Sequence, residues 1–400
     1  MVKFNPLFIF GVARSGTNLL ARSISNHPHA MVALDPFMPL FKTWRNLAIE
    51  PVAKAQHHQF DPQCPFQDFY FDPSGSVFLN TILNVSSNLP LTPSLKLKAS
   101  IYERAALENP GLADTLRDLD GNTIEEIFIS ALNIIAGYAQ LDGKSHPTWI
   151  GLKEVWAVEF VKSLAQAFPK AKFLVIHRDP RAVVASLIAL INQDSSQAAH
   201  TVSYMRHWRK QVSVTHQLAT DPTVSPRLLS ILYEDLVTDP VTWLTKIGQF
   251  LNLEDPACLL TGLRSGKWQG NSSFGTSMGI NADAAERWRH HLTLSLRATV
   301  EFHCAPEMAM LGYARTTTGH MPLQDIRDCI SEADRNPGKW RSDSGDVEAD
   351  FIWELRRWQL LRGQSSDIQE VRRCFLFESV YEKLLQINTG ALYTDCELMP

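Results

Sequence analysis

LFIFGVARSGTNLLARSISN, residues 7–26, reads as a strand, a loop and a helix in immediate succession. Residues 7–10 are a short continuous apolar run, the pattern of a strand buried on both faces of a parallel sheet. Leu19, Leu20, Ser23 and Ile24 mark one face of the helix that follows. The loop between them, Gly11 to Asn18, aims successive backbone N–H groups and a helix N-terminus at one point, an arrangement that suits phosphate oxygens. Its glycines let the backbone approach closely. A Walker A loop carries Lys after the second glycine, followed by Ser or Thr. Here Thr17 and Asn18 stand in those places and the base, Arg14, lies inside the loop. Metal-nucleotide binding of the kinase type is disfavoured, and a merely structural strand-to-helix turn is the bland alternative.

Downstream, KFLVIH is a second buried strand, ending at Arg178. RDPRAVVASLIALI resumes as a helix with Asp179 at its N-cap and Pro180 in its first turn. Ser186 lies eight residues after Arg178. A strand-end arginine forks onto phosphate and a helix-borne hydroxyl adds a hydrogen bond; a capped helix with Ser186 facing solvent is the plainer reading. LLSILYEDL at 228–236 reads as a third strand, with VTWLTKIGQFLNL as the helix after it. TIEEIFISALNIIAGYAQ, 123–140, is a helix capped by Thr123 with Glu126 three residues on, and VEFVKSLAQAF is another, stopped by Pro169. Strands alternating with helices predict an α/β fold with a parallel central sheet flanked by helices and right-handed crossovers.

Residues 36–100 are aromatic- and proline-rich without a clean period. Phe41, Trp44, Phe60, Phe66, Phe69 and Tyr70 read either as lining for an apolar acceptor cavity or as core. After Tyr313 the composition shifts: RTTTGHMP reads as a linker, and the rest is charged and helical. The expected division is a domain at 1–315 and a helical C-terminal extension at 316–400. Arg356, Arg357, Arg362, Arg372 and Arg373 read first as a solvated helix face and second as a partner surface.

Of the 400 residues, 45% are hydrophobic and 20% charged, enough for a packed core. A net charge of −4 gives no global attraction to nucleic acid or an anionic membrane, so any anion site is local. The six cysteines show no C-x-x-C pair and no Cys/His ligand spacing; reduced thiols and no metal are expected. The first residues carry one lysine and a short apolar stretch interrupted by Pro6, too short for a membrane span, and a cytoplasmic protein is expected.

With these pieces in order, the sequence resembles the PAPS-dependent sulfotransferases, which use 3′-phosphoadenosine 5′-phosphosulfate as donor. GVARSGTN is similar to their 5′-phosphosulfate loop and RDPRAVVAS to their 3′-phosphate motif. AFPKAKFLVIHRDP, ILYEDLVTDP and GNSSFGTSMGI…ERWRHHL are similar to their later segments. The likeness runs from Leu7 to Gly312, omits residues 316–400, and is nearer to the bacterial, tyrosylprotein and carbohydrate branches than to the cytosolic aryl branch. It implies a P-loop-like sulfotransferase fold, with PAPS as co-substrate, PAP as product and no metal.

By matching position, the resemblance implies that Arg14 touches the bridging phosphosulfate and that Ser15, Gly16, Thr17 and Asn18 hold the 5′-phosphate. Arg178 and Ser186 take the 3′-phosphate and Tyr233 the adenine, with Ser272, Ser273 and Arg287 as further nucleotide contacts. Lys153 matches the lysine that neutralises the transferring group; a snorkelling surface lysine is the alternative. The late Arg-Lys-Gly triplet and the Lys-Thr-His context of the cytosolic branch are missing. Asp35, in NHPHAMVALDPF, is the candidate general base, against an ordinary Asp-Pro turn; His27 and His29 are secondary candidates. The fold and donor site do not specify the acceptor, a hydroxyl or amine. With no membrane anchor or signal in the sequence, a small molecule is expected first, carbohydrate second and peptidyl tyrosine third. Homo-oligomer formation through the C-terminal helices is a further expectation. The rivals are a P-loop kinase or NTPase, and a nucleotide-binding scaffold that has lost catalysis.

Overall fold

The computed structural model describes residues 4–58, 60, 62, 75–144, 146–192, 200–264, 274, 280–317, 323–330, 347–363 and 367–387. Five strands, β1 (Asn5–Gly11), β2 (Ala30–Leu34), β3 (Trp149–Val155), β4 (Lys172–His177) and β5 (Leu228–Leu232), form one sheet. Their order is β2-β3-β1-β4-β5 and every pairing is parallel. The apolar run at residues 7–10 becomes the central strand because helices cover both faces of a parallel sheet, and Leu7, Phe8, Ile9 and Phe10 are fully buried. From β1 the chain passes to β2 on one side, while β4 and β5 extend the sheet on the other. The carboxyl end of β1 is therefore a switch point, where open α/β sheets place their ligands.

Two strands escape the sequence pattern. β2 (AMVAL) is short, and β3 (WIGLKEV) carries Lys153 and Glu154 within an otherwise apolar run. The third expected strand stops earlier than its pattern: β5 ends at Leu232, and Tyr233 begins the helix Tyr233–Thr238. The stretch without clean period contains an 18-residue helix, Met38–Ala55, whose Pro51 disguises it. Phe41 and Trp44 are fully buried. They pack with each other and with Phe10, Phe128 and Phe160 at centroid separations of 4.8 to 6.3 Å. These two aromatics are core, which corrects the cavity reading; Phe66, Phe69 and Tyr70 lie outside the described residues. Helix Ile124–Leu141 is apolar enough and long enough to cross a membrane by composition. Its Phe128 instead meets Phe8 and Trp44, the behaviour of a core helix.

The chain divides into two compact units. The first comprises residues 1–52, 81–178 and 218–284, including the whole sheet; the second comprises 53–80, 179–217 and 285–400. Residues 316–400 thus share a unit with 179–217 and 285–315, where the sequence pattern placed a single break at 315. In the second unit Phe302, Phe351, Trp358, Phe375 and Val380 form an apolar core. Beside it, Arg209 pairs with Glu354 at 2.5 Å and Arg357 with Glu307. Arg357 is 1% exposed, which corrects its place on a solvated face. Arg356 and Arg372 pair with Glu370 and Glu378 nearer the surface.

Candidate active site

The first unit gathers the candidate residues at the carboxyl ends of its strands. Gly11 ends β1, and a Cβ there would stand 2.5 Å from the Thr17 methyl group, so the loop folds back tightly on its own helix. Arg14 and Gly16 both adopt left-handed backbone, at φ 72° and 88°. Gly16 opens helix Thr17–Ser25 with no side-chain cap, so that helix end keeps its N–H groups for another partner. The Ser15 hydroxyl is fully buried and has no hydrogen-bond partner among the described residues. An uncapped helix N-terminus with an orphaned buried hydroxyl is what a phosphate cradle requires, since buried polar groups are otherwise satisfied.

Two side chains brace this loop. Arg178, at the end of β4, donates from Nη1 to the Arg14 carbonyl at 2.8 Å and from Nη2 to the Ala284 carbonyl at 2.9 Å. Its guanidinium lies 4.4 Å from the Tyr233 ring centroid. Tyr233 in turn presses on Gly16, where a Cβ would stand 2.3 Å from the ring. His177, just before Arg178, is held neutral: burial pushes its imidazole down to about 4.

The second half of the site lies across β1. Register sets Lys153 of β3 opposite both Ile9 of β1 and Leu34 of β2, so that Asp35 follows directly on the strand neighbouring Lys153. The two side chains, 118 positions apart in sequence, form an ion pair between Nζ and Oδ2. Lys153 is 1% exposed, which removes the surface-lysine alternative; a buried ammonium needs this partner. Asp35 stands at φ 54°, its amide donates to the Lys153 carbonyl at 2.9 Å, and its own carbonyl accepts from Arg104 Nε at 2.9 Å. Arg104 comes from helix Leu95–Glu108. Trp156, after β3, is also left-handed at φ 65°. Strained non-glycine residues thus follow β1, β2 and β3 at the carboxyl end of the sheet, where open α/β sheets place their ligands.

Glu154 went unnoticed in the sequence. It is fully buried, its Oε1 accepts the Phe37 amide proton, and Oε2 has no partner among the described residues. Burial first and the neighbouring Asp35 second push its carboxyl up to about 8, against the opposing pull of Arg104, the Phe37 amide and Lys153. Its only sequence signal was a second charge inside a buried strand.

Other candidates fall elsewhere. His27 and His29 lie between helix Thr17–Ser25 and the start of β2, at the opposite strand end from Asp35. His27 Nδ1 accepts from the His29 amide, so its Nε2 donates to the Glu254 carbonyl at 2.5 Å. That role removes the His27 ring as a candidate base, and His29 stands with it at the strand end away from Asp35. Ser186 and Arg287 belong to the second unit: Ser186 is buried on helix Pro180–Ile191, and Arg287 caps helix Trp288–His291. In that unit Trp288 packs, with Arg181 4.1 Å from its ring centroid. Ser272 and Ser273 lie outside the described residues. Among the described residues no cluster of three or more His, Cys, Asp or Glu side chains could hold a metal ion.

The model of a sulfotransferase family matches residues 6–257, which take in all of β2 to β5, β1 but for Asn5, and every residue described above in the first unit's site but Ala284. The chain belongs to the sulfotransferase family. A Mycobacterium tuberculosis omega-hydroxy-beta-dihydromenaquinone-9 sulfotransferase is 31% identical over 169 residues, 39% of this chain and 39% of that protein. A Drosophila melanogaster protein-tyrosine sulfotransferase is 26% identical over 195 residues, 46% of this chain and 38% of its own length. The human carbohydrate sulfotransferase 2 is 28% identical over 143 residues, 34% of this chain and 26% of its own. The matched segments span less than half of each of these relatives. Among solved structures, a sulfotransferase domain from the curacin biosynthetic pathway aligns over 78% of this chain and 99% of its own, with 15% identity and a TM-score of 0.47.

Proposed function

We propose that this family member moves a sulfuryl group from PAPS to a hydroxyl or amine of a small-molecule acceptor. The observation that carries the reading is the Lys153–Asp35 ion pair beside the Gly11–Asn18 loop, which joins a cation and a base at the edge where the phosphate cradle opens. The loop's backbone amides, Ser15, Thr17 and Asn18 would hold the 5′-phosphate end of the donor, and Arg14 the phosphosulfate. Arg178 serves the 3′-phosphate and Tyr233 the adenine. The resemblance also assigns Ser186 and Arg287 to the nucleotide, each to be tested by its own substitution.

Sulfuryl transfer is an in-line displacement, with charge spread over equatorial oxygens and accumulating on the leaving phosphate. Arg14, Lys153 and the loop amides supply fixed positive potential for that charge, a form of stabilisation that needs no reorganisation during the reaction. Asp35 takes the proton that the acceptor loses. The position after Gly16 holds Thr17 in place of the lysine that ATP-binding loops use, which weighs against the kinase reading.

A small-molecule acceptor draws support from the mycobacterial relative, whose name specifies a lipophilic quinone alcohol. The other two relatives are named for peptide tyrosine and carbohydrate. Label transfer from ³⁵S-PAPS to a panel of quinol, phenol, sugar and tyrosyl-peptide acceptors tests the reading, with Arg14→Ala as control. Transfer to a small-molecule acceptor that Arg14→Ala abolishes is the expected result. Transfer only to sugar or peptide would move the acceptor class, and no transfer to any would leave a scaffold.

A further inference from the structure

We propose that Glu154 is the positioning residue of the candidate base, holding the Asp35–Phe37 turn through the Phe37 amide; the inference rests on the function proposed above. Asp35 departs from ordinary backbone twice over. Its φ is 54°, and it precedes Pro36, whose ring restricts the residue before it to extended conformations. Such a residue persists only where the surroundings over-determine it.

Three bonds do so here. The Asp35 amide donates to the Lys153 carbonyl, Arg104 Nε donates to the Asp35 carbonyl, and the Phe37 amide donates to Glu154 Oε1. The first and third come from consecutive residues of β3. Alternation along a strand sends Lys153 and Glu154 to opposite faces, so the cation and the carboxyl approach the turn from two sides. The charges that act on Glu154 are Asp35 after β2, Arg104 on helix Leu95–Glu108 and, from the other side of the turn, Lys153 on β3.

A protonated Glu154 leaves one negative charge, that of Asp35, for Lys153 and Arg104 to balance. An ionised Glu154 would add a second carboxylate beside it and repel an anionic donor. The carboxyl titrates at about 8, so the neutral form prevails at pH 7 and gives way over an accessible range. Glutamine reproduces both features of the neutral acid: the acceptor for the Phe37 amide and the absence of charge.

The experiment compares the full-length wild type, Glu154→Gln and Glu154→Ala. It reads kcat and KM for PAPS from pH 6 to 9.5, and hydrogen exchange of the peptide containing Phe37. Glu154→Ala is expected to lower kcat at least ~10-fold while KM for PAPS moves less than about threefold, since a misplaced base costs rate before binding. Exchange at Phe37 should quicken in the same variant. Glu154→Gln should restore kcat to within about threefold and flatten the wild-type fall in kcat/KM above pH 8. Wild-type kcat in Glu154→Ala, or a Gln variant as slow as the Ala variant, would overturn the proposal. If the wild type transferred nothing from PAPS, the functional reading would fall. Phe37 exchange would still decide whether Glu154 holds the turn, and unchanged exchange in Glu154→Ala would refute that.

Discussion

Replacing Gly16 with alanine should cripple the nucleotide loop through a single methyl group. Two costs add at this position. The backbone sits at φ 88°, where a Cβ costs roughly 1–2 kcal/mol. The new Cβ would also stand 2.3 Å from Tyr233 Cδ2 and 2.7 Å from Cε2, so the ring must retreat by about 1 Å. Tyr233 has little room to do so: it is 9% exposed and lies against the Arg178 guanidinium, which is itself tied to the Arg14 and Ala284 carbonyls. Overpacking of this kind costs ~1–3 kcal/mol, so the substitution should destabilise the first unit by about 2–5 kcal/mol. Part of that strain falls on the loop itself. Since ~1.4 kcal/mol is tenfold in affinity, the PAP dissociation constant should rise at least ~10-fold. Differential scanning calorimetry and titration calorimetry with PAP measure the two effects. A Gly16→Ala/Tyr233→Ala double variant should lose less stability than the two single variants summed, because removing the ring relieves the clash. A Gly16→Ala protein that melts and binds PAP like the wild type would refute the packing of Tyr233 on the loop.

Two further outcomes follow from buried charges. Asp35→Asn keeps the shape of the base and removes its charge; turnover should fall by ~10² or more, because general-base catalysis is worth that much. The same variant leaves Lys153 buried beside a neutral amide, and its melting temperature should drop, measurable by circular dichroism. In the second unit, burial pushes the Glu354 carboxyl up, but Arg209, His303, Arg357 and Arg206 together outweigh it and hold it at about 2. A depressed folded-state value means stability present above the ordinary carboxylate range and lost as pH falls through it toward 2. Chemical denaturation between pH 5 and 2 should therefore show a steep loss that Glu354→Gln flattens, from a lower starting stability.

The sequence announced the centre of the sheet more clearly than its flank. LFIF and the FLVI of KFLVIH are uninterrupted apolar runs, and both lie in strands of the sheet interior. β3 was hidden because Lys153 and Glu154 break its apolar run. Recognition of Lys153 and Asp35 came from resemblance to a family; their pairing needed the register of β2 on β3, which no local pattern encodes. Glu154 offered no signal beyond its charge, since its role depends on an amide 117 positions away. His27 and His29 were plausible bases by chemistry alone, and the direction of β2 removed them. The Arg357 charge read as solvated because its partner Glu307 sits on another helix.

The Gly11–Asn18 loop is proposed to serve a 3′,5′-bisphosphate nucleotide in place of a metal-bound triphosphate. Titration calorimetry of the wild-type chain decides it, with PAP in the presence of a chelator and with ATP in the presence of Mg²⁺. PAP is expected to bind without metal, weakened by Arg178→Ala, and ATP–Mg²⁺ to give no heat of binding. Binding of ATP–Mg²⁺ with none of PAP would contradict it.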